Sequence, residues 1–401
     1  MYNLINYYNM KRFFTLFTII VLCSCQPNLP MDAMEEGNFV SLLYAKEATL
    51  ADFMSQISEL SDINPDILFF LDKKMLVGMY AISYETVDPF GKPTLASGLV
   101  LHPLTQPSKG LLEIMPIAHL DKASGATDLV WNAEGFMAYT GHTVLLPDLI
   151  GYGVSKDKPI PFLMTENTGR VVYDFRRAAA SFLSKKFQYT LPSTSCILGY
   201  SMGGSLALAV QKYYETHHAN TVQVKKVYTG GGVYDMPIAV EFFKSSLVSE
   251  YPAIPNILVA FNHYYSLNLD FTKIFTGTLL ENWATWLDGS KHSSELRRLL
   301  GIQPIKYMHT DFYKAPEDQN SEFQKIHPYL VENSVSMGWT PKAPISFISS
   351  YYDTYVPADC TITAYQNFLQ AGTRVSLTRV AGDHNEAGYY FLIYTLLEFL
   401  Q

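Results

Sequence analysis

Cysteine is scarce: four in 401 residues, with Cys23 and Cys25 crowded near the start and only Cys196 and Cys360 in the body. No C-x-x-C pair occurs, and no His, Cys and carboxylate cluster has metal-ligand spacing. The chain therefore reads neither as a disulfide framework nor as a zinc domain, and it calls for no metal and no cofactor. Charge is thin as well, with 16% charged residues and a net charge of −8. That balance argues against nucleic acid as a partner and leaves no basic stripe for an anionic membrane. No internal repeat or low-complexity tract appears. What is plentiful is apolar: 48% hydrophobic residues, including 28 Tyr and 24 Phe. Such a chain can bury the core of one large domain or two small ones.

The N-terminus reads as a targeting segment. Met10-Lys11-Arg12 is a positive n-region, and Phe13 to Leu22 is a ten-residue apolar stretch, too short to span a bilayer. Leu22-Cys23-Ser24-Cys25 resembles the lipobox of bacterial lipoproteins. The resemblance implies cleavage before Cys25 and lipidation of its thiol, and Gln26 in second place suits the outer membrane. The alternative is an ordinary signal peptide cut elsewhere, giving a secreted protein. Acyl chains on Cys25 would supply the membrane affinity, since no other segment does.

The most informative stretch is Gly199-Tyr200-Ser201-Met202-Gly203-Gly204. An apolar strand precedes it, and a helix rich in small residues follows. G-x-S-x-G in that setting is the nucleophile elbow, where glycines flank a serine at a cramped strand-to-helix turn. The N–H of Met202 would lie at the helix N-terminus, suited to stabilise an oxyanion.

Along the rest of the chain, Gln26 to about Asn38 reads as a tether. Helices are expected from Thr49 through Leu60 and from Pro65 through Phe70. Met79–Val87 and Pro93–His102 flank an Asp88-Pro89-Phe90-Gly91 turn and predict a hairpin that opens the sheet. From Gly110 onward strands and helices alternate, which predicts a doubly wound, mostly parallel sheet with its chemistry at the carboxyl ends of the strands. From Pro237 to Pro341 the rhythm stops. That stretch is too long for a loop in a compact domain and rich in Phe, Tyr and Trp, so it reads as a largely helical cap. Most of its aromatics must form its own core; a few are expected to line an apolar substrate tunnel. The division is then 1–24 signal peptide, 25–79 tether and N-terminal helices, 80–236 and 343–401 the two parts of the α/β core, and 237–342 the cap or lid.

A serine alcohol needs an adjacent base, itself oriented by a carboxylate. His384, in Gly382-Asp383-His384-Asn385, follows the last expected strand and is the candidate base. Asp353, in Asp353-Thr354-Tyr355-Val356-Pro357, is the favoured acid, with Asp235 its competitor and Asp383 read as shaping the histidine loop. Cys196 and Cys360 can be two buried thiols or a disulfide; two thiols is the preferred reading.

The elbow, Asp353, His384 and the long insertion resemble the α/β-hydrolase superfamily. Pro147-Asp148-Leu149-Ile150-Gly151-Tyr152-Gly153 and Tyr173-Asp174-Phe175-Arg176-Arg177-Ala178-Ala179 resemble turns and helices of the bacterial and fungal secretory lipase family. The resemblance implies the α/β-hydrolase fold with a helical cap. It implies a serine esterase or lipase acting through an acyl-enzyme on a small-molecule, lipid or glycan ester. Where many members carry H-G-T, this chain reads Ala118-His119-Leu120-Asp121. The second oxyanion donor would then be the backbone N–H of Leu120 or Asp121, or a protonated Asp121 side chain. Asp148, Arg176 and Arg177 are read as structural, the arginines pairing on a helix surface. Two alternatives stand beside the esterase: an enzyme removing acetyl or feruloyl groups from polysaccharides, and a catalytically silent hydrolase fold used as a surface-binding module.

Overall fold

The computed structural model describes residues 38–56, 71–129, 131–313 and 322–400. The signal peptide, Cys25, most of the tether and the helix expected at Pro65 lie outside the described residues.

The sheet begins earlier than the sequence suggests. β1 (Phe39–Thr49) pairs antiparallel with β2 (Leu76–Val87), with register shifts near each end of Ser41–Leu42. Most of β1 is exposed, so it carries no apolar alternation to read. Its irregular register is the kind that bends an edge strand away from open pairing. Between the two strands, α1 (Leu50–Gln56) is closed at its start by Thr49, which exchanges hydrogen bonds with Asp52, and it buries Leu50 and Phe53.

β2 turns through Asp88–Lys92 into β3 (Pro93–Pro103) as the hairpin expected, with the carboxylate of Asp88 accepting the N–H groups of Phe90 and Lys92. β4 (Leu111–Met115) and β5 (Thr143–Pro147) are short and buried throughout, as strands covered on both faces must be. Between them, where the alternation calls for a helix, lies a 3₁₀ segment, Ala133–Thr140, capped by Asn132 and stopped by Gly141. α2 (Thr165–Phe187) buries Val171, Val172, Phe175, Ala178, Ala179, Phe182 and Leu183 at helical spacing. β6 (Thr194–Tyr200), α3 (Met202–His217) and β7 (Gln223–Gly230) follow.

Among the described residues, five α-helices occupy the stretch that lacked a rhythm: α4 (Met236–Ser245), α5 (Ala253–Tyr265), α6 (Gly277–Trp286), α7 (Ser293–Leu300) and α8 (Glu322–Glu332). The sheet resumes with β8 (Ile345–Ser350), α9 (Ala358–Gln370), β9 (Val375–Val380) and α10 (His384–Leu400).

The strand order is β1-β2-β3-β5-β4-β6-β7-β8-β9. Pairing is antiparallel among β1, β2, β3 and β5, and parallel from β5 onward. Two apolar layers, from α2, α3 and α9, pack on one face. α1, the 3₁₀ segment and α10 pack on the other, through Phe53, Phe136, Tyr139, Ala387, Phe391 and Leu396. This is the α/β-hydrolase fold, a mostly parallel sheet with helices on both faces. Cys196 and Cys360 are both buried and unpaired by any disulfide.

The expectation for Arg176 fails. Arg176 does not pair on a helix surface; it is 0% exposed and ion-paired with Glu113 of β4. Its guanidinium also donates to Ser195 Oγ at 3.0 Å and to the carbonyls of Pro192 and Ser193 at 2.7 and 2.8 Å. Glu113 in turn accepts from Ser195 and, at 2.7 Å, from the Tyr214 hydroxyl. One buried network therefore joins α2, β4, β6 and α3, the elements that carry the elbow. Asp148 is also buried, accepting from Ser97 at 2.6 Å and from Thr127. Burial raises its carboxyl above the ordinary range, and the hydrogen bonds pull it back.

Candidate active site

Ser201 sits between β6 and α3 with φ 57° and ψ −128°. A non-glycine residue there stores about 1–3 kcal/mol of strain, which persists only where the surroundings hold it. Its N–H is held by Gly230 O at 2.9 Å, and its carbonyl accepts Gly204 N–H at 2.9 Å. The flanking glycines are steric necessities. A Cβ on Gly199 would lie 2.0 Å from Gly203 O, and one on Gly203 would lie 2.4 Å from Met115 O. The spacing of G-x-S-x-G is thus the spacing at which β4, β6 and α3 touch backbone to backbone.

The structure brings Ser201, His384 and Asp353 together. His384 Nε2 lies 2.9 Å from Ser201 Oγ, and Nδ1 lies 2.7 Å from Asp353 Oδ2. A carboxylate only accepts, so the Nδ1 proton faces Asp353 and Nε2 is left to accept from the serine hydroxyl. Asp353 is itself fixed, its Oδ1 accepting the N–H groups of Tyr355 and Val356, each at 2.9 Å. The imidazole is buried, stacked on the Tyr355 ring at 5.0 Å and flanked by the Tyr200 ring at 5.1 Å. Tyr200 Oη donates to the His384 carbonyl at 2.6 Å. Burial raises that hydroxyl well above its ordinary range, so it stays a donor. Asp383 caps α10 through the N–H groups of Asn385 and Glu386.

The competing acid is engaged elsewhere. Asp235 caps α4 through Ile238 N–H at 3.2 Å and accepts from Ser336 Oγ at 2.8 Å.

Met202 N–H is among the first of α3, which find no acceptor within their own helix. Opposite it runs Pro116–Asp121. Tyr251 Oη donates to Ala118 O at 2.8 Å, and Tyr152 Oη donates to His119 O, so two hydroxyls pin the carbonyls of this segment. Burial lowers the His119 imidazole below its ordinary value. Asp121 is turned away: its carboxylate accepts Ser124 Oγ at 2.8 and 2.9 Å, and it does not line the cavity described next. Leu120 does line it, with Ile117 and Ala118.

Ser201 and His384 open onto a cavity of about 440 Å³. Phe242, Phe243 and Tyr251 of the helical insertion line it, with Val248, Ile254 and Ile257. Other aromatics of that stretch, such as Phe261, Phe271 and Phe275, pack within its core instead. Tyr200, Tyr355 and Tyr152 support the site and were not legible as such; a tyrosine's hydrogen-bond partner across 33 or 184 residues leaves no local trace. The arrangement can pass a proton from a hydroxyl to an imidazole held by a carboxylate, beside a helix N-terminus and an apolar chamber.

No protein-family model matches the chain, and no curated protein matches it. Solved structures do. The esterase LipA of Xanthomonas oryzae, described as rice cell wall degrading, superposes with a TM-score of 0.75 at 21% identity, covering 92% of this chain and 97% of its own. A Legionella pneumophila protein solved as a candidate hydrolase gives 0.75 at 19% identity, covering 89% and 98%. Candida antarctica lipase A in its closed state gives 0.60 at 13% identity, covering 94% and 87%. At these identities the likeness is one of fold.

Proposed function

We propose that this chain is a serine hydrolase that cleaves carboxylic esters. Ser201 Oγ attacks the ester carbonyl while His384 Nε2 takes its proton and Asp353 holds the imidazolium. The tetrahedral oxyanion is held by Met202 N–H and by a second backbone N–H, that of Leu120 or Asp121. His384 returns the proton to the leaving alkoxide, and water then cleaves the acyl-enzyme by the same route. The observation that carries this reading is the Ser201–His384–Asp353 hydrogen-bonded chain at 2.9 and 2.7 Å, opening onto an apolar cavity. The Asp121 side chain is set aside as an oxyanion donor, since its carboxylate accepts from Ser124 Oγ; the backbone N–H of Leu120 or Asp121 is the donor proposed from this segment.

The cavity walls of Phe, Ile and Val favour an ester with a hydrophobic acyl or alkyl portion over a bare sugar acetate. A fluorophosphonate probe and a panel of p-nitrophenyl esters of graded acyl length test the reading. Wild type is expected to label and to turn over, and Ser201→Ala to do neither. Full activity in Ser201→Ala would end it, and a folded wild type that never labels would favour the binding module. Export and anchoring through Cys25 rest on the N-terminal sequence alone; incorporation of labelled palmitate, lost in Cys25→Ala, tests them.

A further inference from the structure

The cavity has walls from two parts of the fold. One comes from the helical insertion through Phe242, Phe243 and Ile257; the other comes from the opposite side of the sheet, where Ala133, Glu134 and Met137 of the 3₁₀ segment face Gly388, Leu392 and Thr395 of α10. Among the described residues that line it, Glu134 is the one carboxylic acid, and none is a lysine or arginine that could pair with it. No side-chain partner of Glu134 is found among the described residues; the carboxyl has only its own backbone N–H. The residue is part-buried, so a substrate group that displaces water from this carboxyl must hydrogen-bond to it in water's place. On this wall Met137, Leu198 and Leu392 carry no donor, and the Thr395 hydroxyl donates to the carbonyls of Phe391 and Leu392 instead.

The second wall runs along the helix that begins with His384. The acid that protonates the leaving oxygen must lie on the alcohol side of the scissile bond. On the ester-hydrolase reading, the side of the cavity between the 3₁₀ segment and α10 is the one assigned to the alcohol half. We infer that Glu134 is a specificity-determining residue that hydrogen-bonds a hydroxyl on the alcohol half of the substrate, so that the preferred substrate is a partial ester of a diol or polyol. This inference rests on the ester-hydrolase reading above. Burial raises the Glu134 carboxyl above its ordinary range, which suits an uncharged hydroxyl better than an ammonium group.

The test uses butyrate esters of ω-hydroxyalkanols with two to eight carbons, each against the plain alkyl ester of the same length, in wild type and in Glu134→Leu. The expected result is a selectivity quotient, hydroxylated over plain kcat/KM in wild type divided by the same ratio in the variant. It should peak at one chain length at about tenfold, the size of one charge-assisted or buried hydrogen bond. A quotient below threefold at every length overturns the inference. Should Glu134→Leu fail to fold, the wild type alone decides: diols must inhibit more strongly than alkanols at one chain length, by threefold or more, and a flat series overturns it. Wild type that hydrolyses all the esters without this preference sinks only the inference. Wild type that hydrolyses none and takes no fluorophosphonate label sinks the ester-hydrolase reading itself.

Discussion

Removing the positive member of the buried Arg176–Glu113 pair should destabilise the protein severely. Arg176 and Glu113 side chains are 0% and 1% exposed, so solvent cannot replace the lost partner. Arg176→Met fills similar length with apolar atoms but leaves the Glu113 carboxylate without its cation, and leaves the carbonyls of Pro192 and Ser193 without their donor. Breaking one side of a buried pair costs about 3–5 kcal/mol. For 401 residues at about 2.1 cal/mol/K each, the unfolding entropy near Tm is about 0.8 kcal/mol/K, so a loss of 4 kcal/mol lowers Tm by about 5 °C. Adding Glu113→Gln should recover about half of this. A neutral amide keeps both contacts, its oxygen accepting from Ser195 and its NH2 donating to the Tyr214 hydroxyl, and needs no cation. Calorimetry and urea titration of wild type, both single variants and the double variant measure the coupling. A loss below about 1 kcal/mol in Arg176→Met, or a double variant less stable than either single one, would refute the argument that an unpaired buried charge is what costs.

Three further outcomes are expected. Asp353→Asn should lower kcat by about 10⁴, because an amide N–H facing Nδ1 forces the wrong tautomer. Asp235→Asn should leave kcat within a few-fold, and steady-state ester kinetics distinguish the two acids. Gly203→Ala puts a methyl 2.4 Å from Met115 O and 2.9 Å from Pro116 O, so β4 must give way where it enters the oxyanion segment. It should cost about 1–3 kcal/mol and lower kcat more than it raises KM. Burial pushes the imidazoles of His102 and His142 down to about 4, against an unfolded value of about 6.5. Below 6.5 the unfolded chain takes up protons that the folded chain refuses, so their stabilisation is complete above 6.5 and lost progressively as pH falls toward 4. Tm measured from pH 7 to 4.5 should fall, and His102→Gln should flatten that slope.

The features legible from sequence were those written in neighbouring residues. Gly199, Ser201 and Gly203 form one turn, so their spacing alone announced an elbow. The alternation from Gly110 to Lys186 and beyond is a periodicity of short segments, and β4 through β7 follow it. His384 and Asp353 could be named because each lies just past a strand, where a parallel sheet collects its loops. The chain order of serine, acid and histidine is likewise a property of the linear sequence. The choice between Asp353 and Asp235 was only a preference, since either could follow a strand; the 2.7 Å contact to His384 comes from the fold.

What lay beyond the sequence depended on contacts between distant segments. β1 is recognisable only beside β2, because its side chains are mostly exposed and its hydrogen bonds are its reason for being a strand. Arg176 looked like one of two exposed arginines on a helix. Its partner stands 63 residues away, and burial of a charge is decided by where that partner falls. Asp121 followed the histidine as a plausible donor, yet a serine three residues on claims its carboxylate. Glu134 gave no signal at all, since a glutamate at the start of a helical segment is ordinary until the space in front of it is known. Local sequence thus determined which residues could do chemistry and in what order. The tertiary structure alone decided which of them meet and what the cavity between them is lined with, because packing and desolvation act across space and leave no imprint on spacing along the chain.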